Sequence, residues 1–169
     1  MNSSKSNNRR RFSKCNKISL AIFIPVFLLL TILAVQKRYK IVFQTDYSVN
    51  FSYGYMDRKD RIPIKGEYYG FIFKAVRNNK YGMRFVKKVT CLSGERLTHQ
   101  GRDFYCNGQF LGRAKAWDKS SNPAGLFDFN GIIPDRKYFA MGEHHDSYDS
   151  RYWGFVDYSW ILGRVHKIF

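Results

Sequence analysis

Gly142-Glu-His-His-Asp-Ser-Tyr-Asp-Ser-Arg-Tyr-Trp-Gly-Phe-Val156 is the stretch on which the reading of this 169-residue chain turns. It crowds Asp146, Ser147, Asp149, Ser150 and Arg151 together, then closes on an aromatic run around Gly154. Short polar side chains that bond their own backbone favour a tight loop over regular structure. The run Tyr152–Val156 reads as a strand leaving that loop. Taken alone, the segment is equally a solvated turn before an edge strand.

Working outward from it, aromatic and β-branched residues dominate after Tyr39, punctuated by Gly or Pro. The pattern predicts strands over 40–44, 52–57, 68–76, 84–91, 95–98, 103–106, 109–114, 138–141, 152–156 and 161–168. Residues 130–137 read as a turn leading into a strand, and 115–129 as a surface loop. The expected fold class is mainly β: one compact antiparallel domain with one modest core.

Upstream of that domain the chain changes character. Lys5, Arg9, Arg10, Arg11, Lys14 and Lys17 precede an uncharged, mostly apolar run of 18 residues, Ile18 to Val35. At 1.5 Å per residue such a helix reaches about 27 Å, enough for a bilayer core. Pro25 inside it is tolerated in membrane helices. Lys37, Arg38 and Lys40 follow, so nine of the 29 basic residues flank the span. The remainder of the chain carries only +7 of the formal +16. The charge is therefore largely topological, and with no base-reading motif present nucleic acid is not an expected partner. More positive charge before the span than after it places the N-terminus in the cytoplasm. A cleaved signal peptide, cut near Leu33-Ala34, is the rival reading; the length of the span and the charges right after it favour a retained anchor. The expected organisation is a basic cytoplasmic tail (1–17), a transmembrane anchor (18–36) and an exported domain (37–169).

Cysteine usage fits export. Cys91 and Cys106 flank two strand-like stretches joined by a Gly101-Arg102-Asp103 turn, so a bridge across a hairpin is feasible, with two buried thiols as the alternative. The histidines are His99, His144, His145 and His166; an adjacent pair is poor spacing for one metal, and no metal or other cofactor is expected.

Three blocks resemble one family. The opening loop is similar to the G-D-N-R-x-x-S-x-D-S-R-x-W-G signature of the type I signal peptidases, serine proteases with a Ser/Lys dyad. Gly142, Ser147, Asp149, Ser150, Arg151, Trp153 and Gly154 match. Glu143 replaces Asp, the two histidines replace Asn-Arg, and one residue is missing before Ser147. Phe85-Val-Lys-Lys-Val-Thr-Cys-Leu-Ser-Gly-Glu95 resembles the family's lysine box and makes Lys87 the match to the catalytic lysine. Lys88 matches the neighbouring arginine, while Cys91 and Ser93 stand where the family has Gly and Pro. Lys65-Gly-Glu-Tyr-Tyr-Gly-Phe71 resembles the turn that follows the nucleophile strand. Counting back places Ser48 at the nucleophile, with Val49 as the apolar residue and Asn50 where a proline is usual. Ser52 is the alternative nucleophile. The short stretch between the lysine box and the last loop resembles the conjugative-transfer, pilin-processing branch.

The chemistry that this resemblance implies is demanding. A serine hydroxyl needs a base, and a free lysine is neutral in only about one molecule per thousand at pH 7.4. Burial among apolar groups disfavours the ammonium form. Read without the resemblance, Lys87 and Lys88 are two strand lysines, one on each face, both reaching water. The resemblance implies that Ser147 orients Lys87 and that Asp149 and Arg151 brace the loop. It also implies an oxyanion hole from the Ser48 N–H, with Thr45 as a second donor placed in doubt by Asp46. Tyr47, Phe51, Tyr53 and Tyr55 read either as an aromatic interfacial surface or as ordinary strand residues.

The function implied is a membrane-anchored serine endopeptidase of the bacterial inner membrane, single-pass, with its catalytic domain periplasmic. Its partners would be the lipid bilayer and a precursor protein, a conjugative pilin precursor first of all, with hydrolysis and end-joining both open. The alternatives are a general signal peptidase I that removes signal peptides, and a catalytically inactive anchored β-domain acting in assembly.

Overall fold

The computed structural model describes residues 3–44, 48–74, 82–118 and 123–168, with side chains from Leu20 onward. It forms two units, Met1–Arg38 and Tyr39–Phe169. The first is one helix, α1 (Ser3–Arg38), containing Pro25 and ending on Lys37 and Arg38. Its segment Leu20–Arg38, 19 residues, is long and apolar enough to cross a membrane.

The second unit is antiparallel β. A seven-stranded sheet runs β1-β2-β11-β3-β4-β9-β10, and a four-stranded sheet runs β7-β6-β5-β8, counted over the described residues. In chain order the strands are β1 (Tyr39–Phe43), β2 (Tyr53–Asp57), β3 (Tyr68–Ile72), β4 (Arg84–Cys91), β5 (Arg96–Gln100), β6 (Asp103–Cys106), β7 (Gln109–Arg113), β8 (Gly131–Ile132), β9 (Lys137–Met141), β10 (Val156–Asp157) and β11 (Ile161–Lys167). Residues 75–76 of the expected 68–76 strand, and Thr45, Asp46 and Tyr47, lie outside the described residues.

β3 is buried almost throughout and divides two apolar clusters. Successive strand residues point to opposite faces. Tyr69 and Phe71 therefore join the larger cluster with Val89, Leu97, Phe104 and Phe139. Tyr68 joins a smaller one with Val49, Phe51, Met56 and Val165. Phe51 meets Tyr68 edge-on at 5.1 Å between ring centres, which anchors the Ser48–Ser52 turn to the sheet. Of the four aromatics read as a possible surface, Phe51 is thus core, while Tyr53 and Tyr55 are exposed.

Two sequence expectations fail here. Residues 152–156 are not one strand. Ser150–Trp153 forms a single helical turn, α2, capped by Asp149, and only Val156–Asp157 pairs as β10. The Asp149 carboxylate accepts the Arg151 N–H, and Gly154 (φ 93°) ends the turn. A four-residue helix is too short to display a period, so the aromatic run reads as strand. Residues 115–129 are not simply a surface loop either. Leu126, Phe127 and Phe129 pack on the larger cluster, with Phe127 edge-on to Phe155 at 5.0 Å. Arg102 ties this segment down through the carbonyls of Ala114 and Ala124 at 3.1 and 3.0 Å.

Cys91 and Cys106 are bridged and buried. The bridge joins the end of β4 to the end of β6, so it staples the two sheets to each other rather than crossing one hairpin. Closing a loop of 15 residues in the unfolded chain stabilises by about 3 kcal/mol on the chain-entropy account. Cys91→Ser/Cys106→Ser is expected to lose about that much in urea unfolding. A loss well under 1 kcal/mol would mean that sheet packing alone fixes this junction.

Candidate active site

β4 carries the row Phe85, Lys87, Val89, Cys91 on the face toward the larger cluster. Register with β3 pairs Lys87 with Tyr69 and Lys88 with Tyr68, so the two lysines occupy opposite faces. Lys87 is 1% exposed, a charged residue set in a core row. Its Nζ donates to Ser147 Oγ at 2.9 Å and lies 5.7 Å from the centre of the Phe85 ring. Lys88 takes the other face and pairs with Glu143 at 3.2 Å.

β9 runs beside β4 and delivers Gly142 to the loop. Gly142 has no room for a side chain. A Cβ there would collide with Ser147 Oγ and sit 2.6 Å from the Ser48 carbonyl oxygen. This single residue is thus where the Ser48 turn and the Ser147 loop converge. Both serines are buried, Ser48 at 6% and Ser147 at 3% exposure. The Glu143 N–H donates to the Ser48 carbonyl at 2.7 Å, locking the two segments together. Ser52, by contrast, is exposed, and its carbonyl accepts from the Gln44 N–H at the base of the β1–β2 hairpin.

Asp149 and Arg151 build the floor of the loop. The guanidinium grips the carboxylate through Nε at 2.8 Å and Nη2 at 2.7 Å, and both residues are buried. The same carboxylate accepts the Gly142 N–H at 2.9 Å. Arg151 also donates to the carbonyls of Arg113, at 2.7 Å, and Ser147, at 3.3 Å. Burial alone would lower the Arg151 pKa, but the hydrogen bond and charge of Asp149 outweigh it and raise it. The Ser150 hydroxyl accepts the Ala140 N–H, fixing the loop to β9.

Ser48, Lys87, Ser147, Asp149 and Arg151 thus lie in one neighbourhood of linked loops and strands, whereas Ser52 is exposed. The sequence reading assigned no role to Gly142, Glu143 or Ser150. Their signal was their place in the same short loop. Donor atoms of His144, His145 and Asp146 lie within 4.8 Å of one another. His144 Nδ1 already accepts the Asp146 N–H, and Asp146 is paired with Lys115, so these groups serve the turn itself.

On the small-cluster side, a groove of about 450 Å³ opens between β1 and β4, bounded by Phe43, Met56, Phe85, Val86 and Leu162. Its lining mixes these apolar side chains with Lys40, Gln44 and Arg84.

Residues 18–169 match the family described as signal peptidase, peptidase S26. The chain belongs to that family. A probable signal peptidase I-2 of Synechocystis sp. is 30% identical over 108 residues, covering 62% of this chain and 47% of that protein. The signal peptidase I of Buchnera aphidicola subsp. Schizaphis graminum is 55% identical over 38 residues, 22% of this chain and 12% of that one. The match therefore spans less than half the length of these relatives. The crystal structure of a signal peptidase I from Enterococcus faecalis V583 aligns with TM-score 0.43 and 24% identity, over 63% of this chain and 99% of that one.

Proposed function

We propose that this chain is a membrane-anchored serine endopeptidase in which Ser48 is the nucleophile and Lys87 its general base. The observation that carries the proposal is the Lys87 amine, 1% exposed in a core row, yet aimed by Ser147 at a junction shared with Ser48. An ammonium there is penalised by desolvation, which favours the neutral amine that the chemistry needs.

In this reading Ser48 Oγ attacks the scissile carbonyl and its proton passes to Lys87 Nζ. The Ser48 N–H contributes to the oxyanion hole; Thr45, the other donor named above, lies outside the described residues. Collapse of the tetrahedral species expels the amine, which takes the proton from Lys87, and leaves an ester on Ser48. Water then releases the acid, or an amine intercepts the ester and joins two ends. Ser147 holds Lys87 Nζ directly, and Asp149 and Arg151 support it through the loop.

α1 serves as the anchor, with residues 1–17 cytoplasmic and the β domain on the far side of the bacterial inner membrane. The bilayer is then the first partner, and the substrate is an exported precursor cleaved near its surface. The short connection between the lysine box and the last loop favours a conjugative pilin precursor. The names of the relatives favour general removal of signal peptides.

The test is co-expression of the full chain with a pilin precursor and, separately, with a preprotein bearing an Ala-x-Ala junction. Ser48→Ala should leave both uncut, and Ser52→Ala should cut like the parent. The reverse pattern would transfer the nucleophile to Ser52. Normal cutting by both variants would remove the serine mechanism. Selective processing of the pilin precursor supports the conjugative assignment, and equal processing supports the general one.

A further inference from the structure

Two of the departures from the family pattern touch each other. Asn50 stands where a proline is usual, and Glu143 stands where an aspartate is usual. The Asn50 N–H, which a proline would lack, donates to Glu143 Oε2 at 3.0 Å. The Glu143 N–H donates to the Ser48 carbonyl at 2.7 Å. One residue therefore holds the chain on both sides of Val49, itself buried in the smaller cluster. The second carboxylate oxygen is held by Lys88 Nζ at 3.2 Å, and Lys88 lies over the Tyr68 ring. Burial pushes the Glu143 carboxyl upward. The Asn50 N–H, the Tyr68 hydroxyl and Lys88 more than reverse this, so that its pKa falls below the ordinary carboxylate value.

We infer that Glu143 is a positioning residue that clasps the Ser48–Asn50 turn from the loop after β9 and thereby replaces the stiffness that proline gives other members of the family. Proline restricts its own φ and the residue before it. A turn without proline needs another restraint if the nucleophile is to hold its angle of attack. The carboxylate supplies that restraint from outside the turn. The extra methylene of glutamate over aspartate gives the reach, and Lys88 steers the carboxylate. The inference rests on the assignment of Ser48 as nucleophile.

The experiment compares Glu143→Ala, Glu143→Asp, Glu143→Gln and Lys88→Met in the full chain in detergent micelles. The probe is a peptide carrying an Ala-x-Ala junction. Glutamine keeps an acceptor for the Asn50 N–H; alanine does not, and aspartate falls short. Amide exchange in the peptide covering residues 48–51 should accelerate in the Ala and Asp variants and stay near the parent rate in Gln. Because small misplacements of a nucleophile can cost about 10²-fold, kcat should fall roughly 10- to 100-fold in Ala and Asp, with KM within about threefold. Gln should retain most of kcat. A Gln variant as impaired as Ala, or a Lys88→Met variant that reproduces the full loss, would assign the effect to the ion pair and overturn the clasp. Unchanged exchange and unchanged kcat in Ala would overturn it too. Ser48→Ala, run alongside, separates the two failures. Cleavage that survives Ser48→Ala removes the nucleophile. Cleavage lost there but intact in Glu143→Ala removes the clasp alone.

Discussion

Lys87→Met is expected to lower kcat/KM by at least about 10⁴-fold while leaving the chain as stable as the parent or more so. The two halves of this expectation have one cause. Lys87 stands in a core row with Phe85, Val89 and Cys91, and its amine is withdrawn from water. Methionine fills nearly the same space without a group to desolvate, so little packing is lost. On the proposed mechanism, what disappears is the base that takes the Ser48 proton. A lysine kept only for structure would behave differently, because its removal would leave cleavage intact. Urea unfolding and peptide cleavage, measured on the same preparation, decide the matter. Cleavage within tenfold of the parent would end the dyad.

Arg151→Ala is expected to cost about 3–5 kcal/mol, the usual penalty for stranding one partner of a buried ion pair. Asp149 is fully buried. Without the guanidinium, its charge keeps only the N–H groups of Gly142 and Arg151. The substitution also frees the carbonyls of Arg113 and Ser147, so the loop that aims Lys87 loses its floor. The paired change Asp149→Asn/Arg151→Met should recover much of the stability, because no isolated charge is then left buried. Activity should not recover in step, since the Ser147 carbonyl stays unheld. Unfolding followed through Trp153, buried on the adjoining helical turn, reads the first effect. A loss below 1 kcal/mol for Arg151→Ala would make the pair energetically equivalent to one on the surface.

Much of the β domain was legible because its strands obey local rules. Arg84–Cys91 and Asp103–Cys106 form over the expected residues, bounded by turns with Gly or Asn in left-handed conformations. Where the reading failed, tertiary packing had overridden local appearance. Residues 126–129 look like loop by their neighbours, yet Phe127 packs on Phe139 and Phe155, and Phe129 on Phe155. Tyr152 and Trp153 look like strand, yet Asp149 curls them into a helical turn because Arg151 must face back toward it.

The same division runs through the candidate site. The loop 142–156 could be recognised unaided, since its glycines and short polar side chains are the chemistry of a tight turn. The resemblance singled out Lys87, but strand periodicity alone could not sort the lysine pair. Lys87 and Lys88 are adjacent and chemically alike, and nothing local says which is buried. The β3–β4 register decides it by pairing Lys87 with Tyr69 and Lys88 with Tyr68. A slip of one residue would exchange their faces, because side chains alternate with a period of two. Sequence by itself determined a tight polar loop and an adjacent lysine pair in a strand; the brace and the choice of lysine came only as what the resemblance implies. Only the folded sheet determined that Lys87, and not its neighbour, leaves water to meet Ser147.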